Sequence, residues 1–554
     1  MNQVSHFFKE NINLTVWLFS WPAIIFLWPF LAFIDNNISQ TPLLSISGLF
    51  YIYTLLMFAS ITICLFLLML TRLIKNKAEI SALFLSVPLT IFLLLVSSIW
   101  LDDLFPSILE NDVRFRFIFY VLEFLIIFLF VRRLVSSPKV RMVFLVLFVT
   151  GALLPAVSIL FYAPTLFEFD KSEGDKLRPS FFGDKISKET QNIYYIILDE
   201  QSSFDGLNKL YGFDDLGFGE LEKEFSELNF HHIKAARSSY NVTYLTLGSI
   251  FDMEYSATER TNKYKNRNVM FPSMMGKHNN LTKLLGENGF SFNWTGNDWG
   301  PCRAREWIEC KGTTSPHLYT QQVFYEFIPA LSDFEHIKEK IKNRVIEKLN
   351  ESSISLNNKP KTRQIRQFLD EFEYQPSKRS FYFIHEHAPH SPYRYNADCT
   401  KRKKTNDTGG ISKAEIDHSN YLKTSFCALR SALDAAKEIA SVDPNAIIVI
   451  QGDHGANLEL GEGSTDALWK MRLKDVGLEN EMVALRMGIV NLIRVPEYCN
   501  KFINSDLDNV QSLRLAVSCG FGLEPILGKA RSFWAVYETN PDFGSVVELD
   551  FRGH

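Results

Sequence analysis

Apolar positions are distributed unevenly along this chain. Before residue 163 they form long unbroken stretches. After it they come as short runs separated by polar, helically patterned segments. Five stretches, at roughly 14–34, 49–71, 80–101, 115–135 and 140–162, approach the ~20 apolar residues a helix needs to cross a bilayer. A cleavable leader accounts for the first of these but not for the rest. The pattern therefore predicts an N-terminal α-helical membrane domain of about five spans over residues 1–162.

Residues 163–190 are polar, with Pro and Gly, and read as a linker to a domain spanning 191–554. In that domain "NIYYIILDE", "SFYFIHE" (380–386), "AIIVIQGD" (446–453) and "GIVNLIRVP" (488–496) are apolar throughout, as strands covered on both faces are. Helical patterns lie between them, around 216–228, around 281–288, and at 318–349 and 413–440. Strands alternating with helices predict an α/β fold with a largely parallel central sheet, whose ligands bind beyond the carboxyl ends of the strands. The basic tract "TKRKKTNDTGG" (400–410) reads as a solvated loop.

Charge orients the first part. The connection 35–46 has no Lys or Arg, whereas Arg72, Lys75 and Lys77 follow the second stretch and Arg132, Arg133, Lys139 and Arg141 follow the fourth. The third connection is mainly acidic, with Asp102, Asp103, Glu110 and Asp112, before Arg114 and Arg116. The positive-inside rule then puts the second and fourth connections and the N-terminus in the cytoplasm, and everything after Tyr162 outside. Cysteine usage agrees. Cys302, Cys310, Cys399, Cys427, Cys499 and Cys519 all lie in the exterior part, where an even number reads as a disulfide set with nearest-neighbour pairing as the simplest choice. No CxxC spacing supports a zinc ribbon, and Cys64 sits in an apolar stretch as packing. A net charge of −4 over 554 residues gives no reason to expect a nucleic-acid partner.

Three of the predicted strands end in metal-type ligands: Asp199-Glu200, then "HEHAPH" with His385, His387 and His390, then Asp453-His454. Each alone has an ordinary explanation as a helix cap, a turn or a local hydrogen-bonding cluster. Strand ends of one parallel sheet are spatial neighbours, however, and carboxylates with neutral imidazoles suit zinc or manganese, with magnesium also compatible. The stretch "SSYNVTYLTLGSIFDMEY" (238–255) supplies hydroxyls that a bound cation could activate as nucleophiles.

In this order, "YYIILDE", "YNVTYLTLGSI", "FIHEHAPHSPY" and "VIQGDHGAN" resemble the alkaline phosphatase/sulfatase superfamily. The likeness is greater to its membrane-bound branch, the phosphoethanolamine transferases and the phosphoglycerol transferases related to lipoteichoic acid synthase. The resemblance implies metal ligands at Asp199 (Glu200 as fallback), Thr243, Asp453 and His454. It implies Thr243 as nucleophile, ahead of Thr246 and Ser249, and His390 near the transferred phosphate, with His385 as a second such histidine. It also implies a two-step transfer through a phosphothreonine. The donor is a membrane phospholipid, the acceptor an envelope glycan or lipid, and the setting the inner membrane with a periplasmic catalytic domain. Where sulfatases carry their formylglycine precursor this chain has "TYLTL", so ordinary sulfatase chemistry is not expected. No His occurs between 455 and 553, where the transferases tend to have one, so a full second metal site is not expected either. A hydrolase or phosphodiesterase of the same fold, and a catalytically silent membrane protein, are the alternatives.

Four further features have a structural and a functional reading. Glu123, inside the fourth stretch, pairs near an interface or serves function. "FNWTGNDWGPC" (292–302) is a disulfide-tied core loop, or an aromatic platform for a sugar. Residues 333–350 form an amphipathic surface helix with Phe334, Ile337, Ile341, Val345 and Leu349 on one face. "NVT" at 241–243 fits a glycosylation sequon, accidentally if Thr243 is the nucleophile.

Overall fold

The structure, a computed structural model, describes residues 190–211, 216–255, 279–296, 308–311, 361–402, 413–456, 481–505, 507–535 and 546–550, together with helix 113–134 and scattered single positions around it. The other stretches 14–34, 49–71, 80–101 and 140–162 lie essentially outside the described residues. So do the linker 163–190, the helical patterns at 318–349 and 333–350, most of the basic tract, and Cys302. The chain divides into two compact units, 1–168 with 314–356, and 169–313 with 357–554.

In the first unit one helix, α1 (Val113–Leu134), coincides with the fourth apolar stretch. Leu122, Ile126, Leu129 and Phe130 are exposed on it, and Val131 is buried. Among the described residues no helix is long and apolar enough to cross a membrane.

The second unit is built on a seven-stranded sheet. Its strands are β1 (Ile193–Leu198), β2 (His231–His232), β3 (Ser291–Thr295), β4 (Ile308–Lys311), β5 (Ser380–Glu386), β6 (Ile447–Gly452) and β7 (Asn491–Arg494), in the order β2-β7-β6-β1-β5-β3-β4. The pairs β6–β1, β1–β5, β5–β3 and β3–β4 are parallel, and β7 and β2 close one edge antiparallel. A separate hairpin pairs β8 (Ser532–Ala535) with β9 (Val546–Leu549).

All six residues of β1 and of β6 are buried, because helices cover both sheet faces. Tyr194, Ile196, Leu198, Ile384, Ile448 and Ile450 pack in one cluster. It includes residues of α2 (Phe204–Tyr211), α3 (Phe218–Glu227), α6 (Arg363–Glu371) and the long α7 (Lys413–Val442). Around the opposite face lie α4 (Thr243–Asp252), α5 (Asn280–Glu287) and α9 (Asn509–Gly520). Aromatic rings tile that face: Trp294 stacks on Phe383 at 5.1 Å and Phe292 on Phe381 at 5.6 Å between ring centroids. The short helix α8 (Glu481–Met487) completes the set and leads into β7.

Trp294 is fully buried on β3, so the first half of the aromatic segment is core, and residues 297–302 lie outside the described set. Disulfides join Cys399 to Cys427 and Cys499 to Cys519, each to its nearest neighbour in sequence; Cys310 is also disulfide-bonded. The asparagine of the sequon, Asn241, is buried with both ends of its amide bonded to the backbone of Ala535. No glycan can be attached there in the folded chain.

Candidate metal and nucleophile site

The register of the sheet brings three strand ends to one place. Leu198 on β1 lies beside Glu386 of β5 and Gly452 of β6, so the residues that follow, Asp199 and Asp453, emerge side by side. His385 lies one step back on β5, beside Ile197. The ligand-type atoms of Asp199, His385 and Asp453 all fall within 4.8 Å of one another, and all three side chains are buried.

Several of these atoms lack a protein partner. Asp199 Oδ1, Asp453 Oδ2 and both ring nitrogens of His385 are buried and make no hydrogen bond among the described residues, the nearest approaches being His385 Nε2 to Asp199 Oδ2 at 3.5 Å and His454 Nε2 to Asp453 Oδ2 at 3.3 Å. Buried polar atoms are normally satisfied, so a convergent set of orphaned oxygens and nitrogens fits a cation. The electrostatics point the same way. Burial raises the Asp199 and Asp453 carboxyls, and a neighbouring carboxylate adds to it, Glu200 for the first and Asp199 for the second. Burial also pushes His385 down to about 4. A divalent cation reverses each of these penalties by favouring carboxylates and neutral imidazoles.

The nucleophile candidate approaches from α4. Thr243 is its first residue, and its Oγ1 lies 2.9 Å from His454 Nε2. His454 Nδ1 lies 3.1 Å from the Gly455 carbonyl, which requires the proton on that nitrogen. Nε2 therefore carries the lone pair that faces the threonine hydroxyl. The N-cap of α4 is Val242, whose side chain cannot accept from the first-turn amides. A Ser or Asp usually fills that place, and an apolar cap leaves the positive end of the helix directed at the site.

A hydrogen-bond network holds α4 to the end of β6. Ser238 Oγ donates to the carbonyl oxygens of Asp453 and Tyr240, while Asn509 on α9 accepts from Ser239 N at 2.9 Å and donates to Gly452 O at 2.9 Å. Asp453 Oδ1 accepts from Glu200 N at 3.0 Å and from His454 N at 2.8 Å, which ties the β1 and β6 ends together. Gly455 has a steric reason: a Cβ there would meet the Leu485 carbonyl oxygen at 1.9 Å, and its N donates to Arg486 O at 2.7 Å.

His385 thus sits among the cation-type atoms, whereas His454 faces Thr243 with its Nε2 also 3.3 Å from Asp453 Oδ2. Half-exposed His390 stands at the rim, its Nε2 3.9 Å from Glu200 Oε1. Burial opposes its charge, but the Asp199 and Glu200 carboxylates outweigh burial and raise it to about 9. Thr246 and Ser249 are buried along α4, and Thr246 Oγ1 donates to Tyr240 O at 3.1 Å. Glu386 faces away and caps α6, accepting from Gln364 N at 2.9 Å and Ile365 N at 3.1 Å.

Sequence reasoning missed Arg486. Its Nη1 lies 2.8 Å from Glu200 Oε1, its Nε donates to Asn241 O at 2.9 Å, and its Nη2 lies 3.4 Å from His454 Nε2. The signal was present, since a lone cation within the apolar pattern "MVALRMGIV" requires a partner once buried.

Residues 191–478, more than half of the chain, match the family model described as Sulfatase. No curated protein matches the chain in sequence. Among solved structures, the chain is similar to the C-terminal periplasmic domain of EptC from Escherichia coli in complex with zinc, with 12% identity, a TM-score of 0.37, and coverage of 61% of this chain and 84% of that one. It is similar to the lipoteichoic acid synthase LtaP from Listeria monocytogenes, with 12% identity, a TM-score of 0.34, and coverage of 70% and 86%. It is also similar to the integral membrane lipooligosaccharide phosphoethanolamine transferase A from Neisseria meningitidis, with 11% identity, a TM-score of 0.38, and coverage of 91% and 95%.

Proposed function

The chain belongs to the sulfatase family, and from that premise we propose that it is a membrane-bound, divalent-metal-dependent transferase. It moves a phosphoglycerol or phosphoethanolamine group from a phospholipid onto an envelope glycan or lipid. The observation that carries this reading is the placement of Thr243 Oγ1 against His454 Nε2, beside the buried Asp199–His385–Asp453 cluster with its unpartnered atoms.

Asp199, His385 and Asp453 would hold the ion, beside His454 and Thr243. When bound, it would supply positive charge that favours ionisation of the Thr243 hydroxyl and offsets charge on the transferred phosphoryl oxygens. In the first step Thr243 Oγ1 forms a bond to phosphorus as the bond from phosphorus to the diacylglycerol oxygen breaks, with His454 Nε2 placed to take the hydroxyl proton, which ends on the departing diacylglycerol oxygen. In the second step an acceptor hydroxyl attacks the same phosphorus and the bond to Thr243 breaks, the acceptor's proton passing by way of His454 to Thr243 Oγ1 and restoring the starting state. His390, at the rim and positively charged, pairs with the incoming phosphodiester. The stretch "TYLTL" excludes the formylglycine route, which leaves the threonine hydroxyl as the nucleophile this reading uses.

The membrane setting draws its support from the five apolar stretches, the alternation of basic connections, and the exposed apolar residues of α1. The disulfides support an oxidising compartment for the catalytic unit.

The test uses the purified full chain with zinc or manganese and tail-labelled phosphatidylglycerol and phosphatidylethanolamine. Metal-dependent release of labelled diacylglycerol from one lipid, lost in Thr243→Ala, supports the reading and identifies the donor. Release of the head-group phosphate into water at an undiminished rate with every acceptor absent would make the chain a phosphodiesterase. No release from either lipid sinks the lipid-donor reading.

A further inference from the structure

The acidic and imidazole groups at the strand ends form two sets, and one of them already holds a protein cation. The first is Asp199, His385 and Asp453, with its orphaned atoms. The second is Glu200 and His454, both against the Arg486 side chain, with His390 beyond Glu200. Arg486 Nη1 lies 2.8 Å from Glu200 Oε1, the same oxygen lies 3.9 Å from His390 Nε2, and Arg486 Nη2 lies 3.4 Å from His454 Nε2. We infer that Arg486 fills the second cationic position of the site with its own guanidinium, holding Glu200 out of the metal cluster and limiting the chain to one divalent ion.

Three features fix the guanidinium there. Arg486 is 4 % exposed, and its Nε and Nη1 also donate to the backbone carbonyls of Asn241 and Gly455, both at 2.9 Å. The side chain therefore joins the segment before Thr243 to the segment after His454, and cannot swing away without orphaning both. Glu200 has a left-handed backbone with φ of 66°, a conformation that a non-glycine residue keeps only when its surroundings hold it. Its carboxylate pairs with Arg486, while that of the adjacent Asp199 joins the metal cluster. Charge balance follows: Asp199 and Asp453 match one divalent cation, and Arg486 neutralises Glu200. The guanidinium is part of the chain, so unlike a metal ion it is not removed by a chelator. The Nη2 edge faces the Thr243–His454 contact, where oxygens of a transferred group would lie.

The inference rests on the metal reading of the first set, and the experiment separates the two. The full chain and its variants are stripped with chelator, re-equilibrated with manganese and separately with zinc, and assayed for bound metal per chain by elemental analysis. The wild type and Arg486→Lys are expected to hold one equivalent, and Asp199→Asn none. Arg486→Gln is expected to gain a second equivalent, which disappears in Arg486→Gln/Glu200→Gln. Removing both partners of a buried pair also avoids leaving a lone buried charge, so the double variant serves as the folded control. Should Arg486→Gln fail to fold, Arg486→His takes its place, with two equivalents again expected. Two equivalents in the wild type, or one in a folded Arg486→Gln or Arg486→His, overturns the inference. A wild type that binds no metal overturns the reading of the first set, and the inference with it.

Discussion

At the scale of single residues, the site consists of groups whose chemistry is costly unless it is used. Thr243→Ala removes one hydroxyl from a residue that is 9% exposed, so the fold should survive, while head-group release falls about a thousandfold or more. Thr243→Ser should retain measurable release. Asp508 offers a test of burial that is independent of the site. Its carboxyl accepts from Tyr255 Oη at 2.6 Å, Gln511 N at 2.8 Å and Arg531 N at 3.0 Å, yet burial outweighs those donors and pushes it up to about 6 from 3.8. The folded chain then keeps a proton that the unfolded chain has released. The stabilisation from this group is full at low pH and declines between about pH 4 and 6, by on the order of 3 kcal/mol. Thermal unfolding across that range should show the decline in the wild type and a shallower one in Asp508→Asn. The residues the sequence proposed for the site, Asp199, Thr243, Asp453 and His454, each stand next to an apolar run or a hydroxyl-rich helix start. Asn509 escaped notice because its bonds go to backbone atoms distant in sequence, which no local pattern encodes; Arg486 stood out as a lone cation in an apolar run, but nothing local identified Glu200 as its partner.

At the scale of elements, apolar periodicity located β1, β5, β6, α3, α5 and α7, since each is covered by its neighbours over most of its length. It did not reveal the antiparallel direction of β7, because a strand buried on both faces reads the same in either direction. It also gave no strand at β3, where "SFNWT" mixes polar and aromatic residues, and only packing against Phe383 and Phe251 makes Trp294 core. Trp294→Ala should therefore cost about 3–5 kcal/mol of stability and leave the Michaelis constant for any acceptor unchanged. A sugar-stacking tryptophan would give the opposite result. The turn after β6 is the tightest joint in the site. Gly455→Ala places a Cβ 1.9 Å from the Leu485 carbonyl oxygen, so α8 must shift, and both melting temperature and activity should fall together.

At the scale of the whole molecule, a bound ion that recognises only the folded chain stabilises it. With metal at a hundred times its dissociation constant the gain is about 2.7 kcal/mol, visible as a higher melting temperature that a chelator removes. Asp199→Asn should melt at the same temperature with and without metal. The sequence by itself determined the alternation of strand and helix, the acidic and imidazole strand ends, the two-part organisation of apolar stretches, and the supply of exterior cysteines. All of these are local properties, readable because burial, periodicity and charge leave their mark residue by residue. Only the tertiary structure decided that His385 joins Asp199 and Asp453 while His454 faces Thr243. It also decided that the cysteines at 399 and 427, and at 499 and 519, pair as neighbours, and that Arg486 occupies the space beside Glu200. Those outcomes depend on strand register and on helices that approach from opposite ends of the chain. The spacing of residues along one segment carries no information about the distance between two.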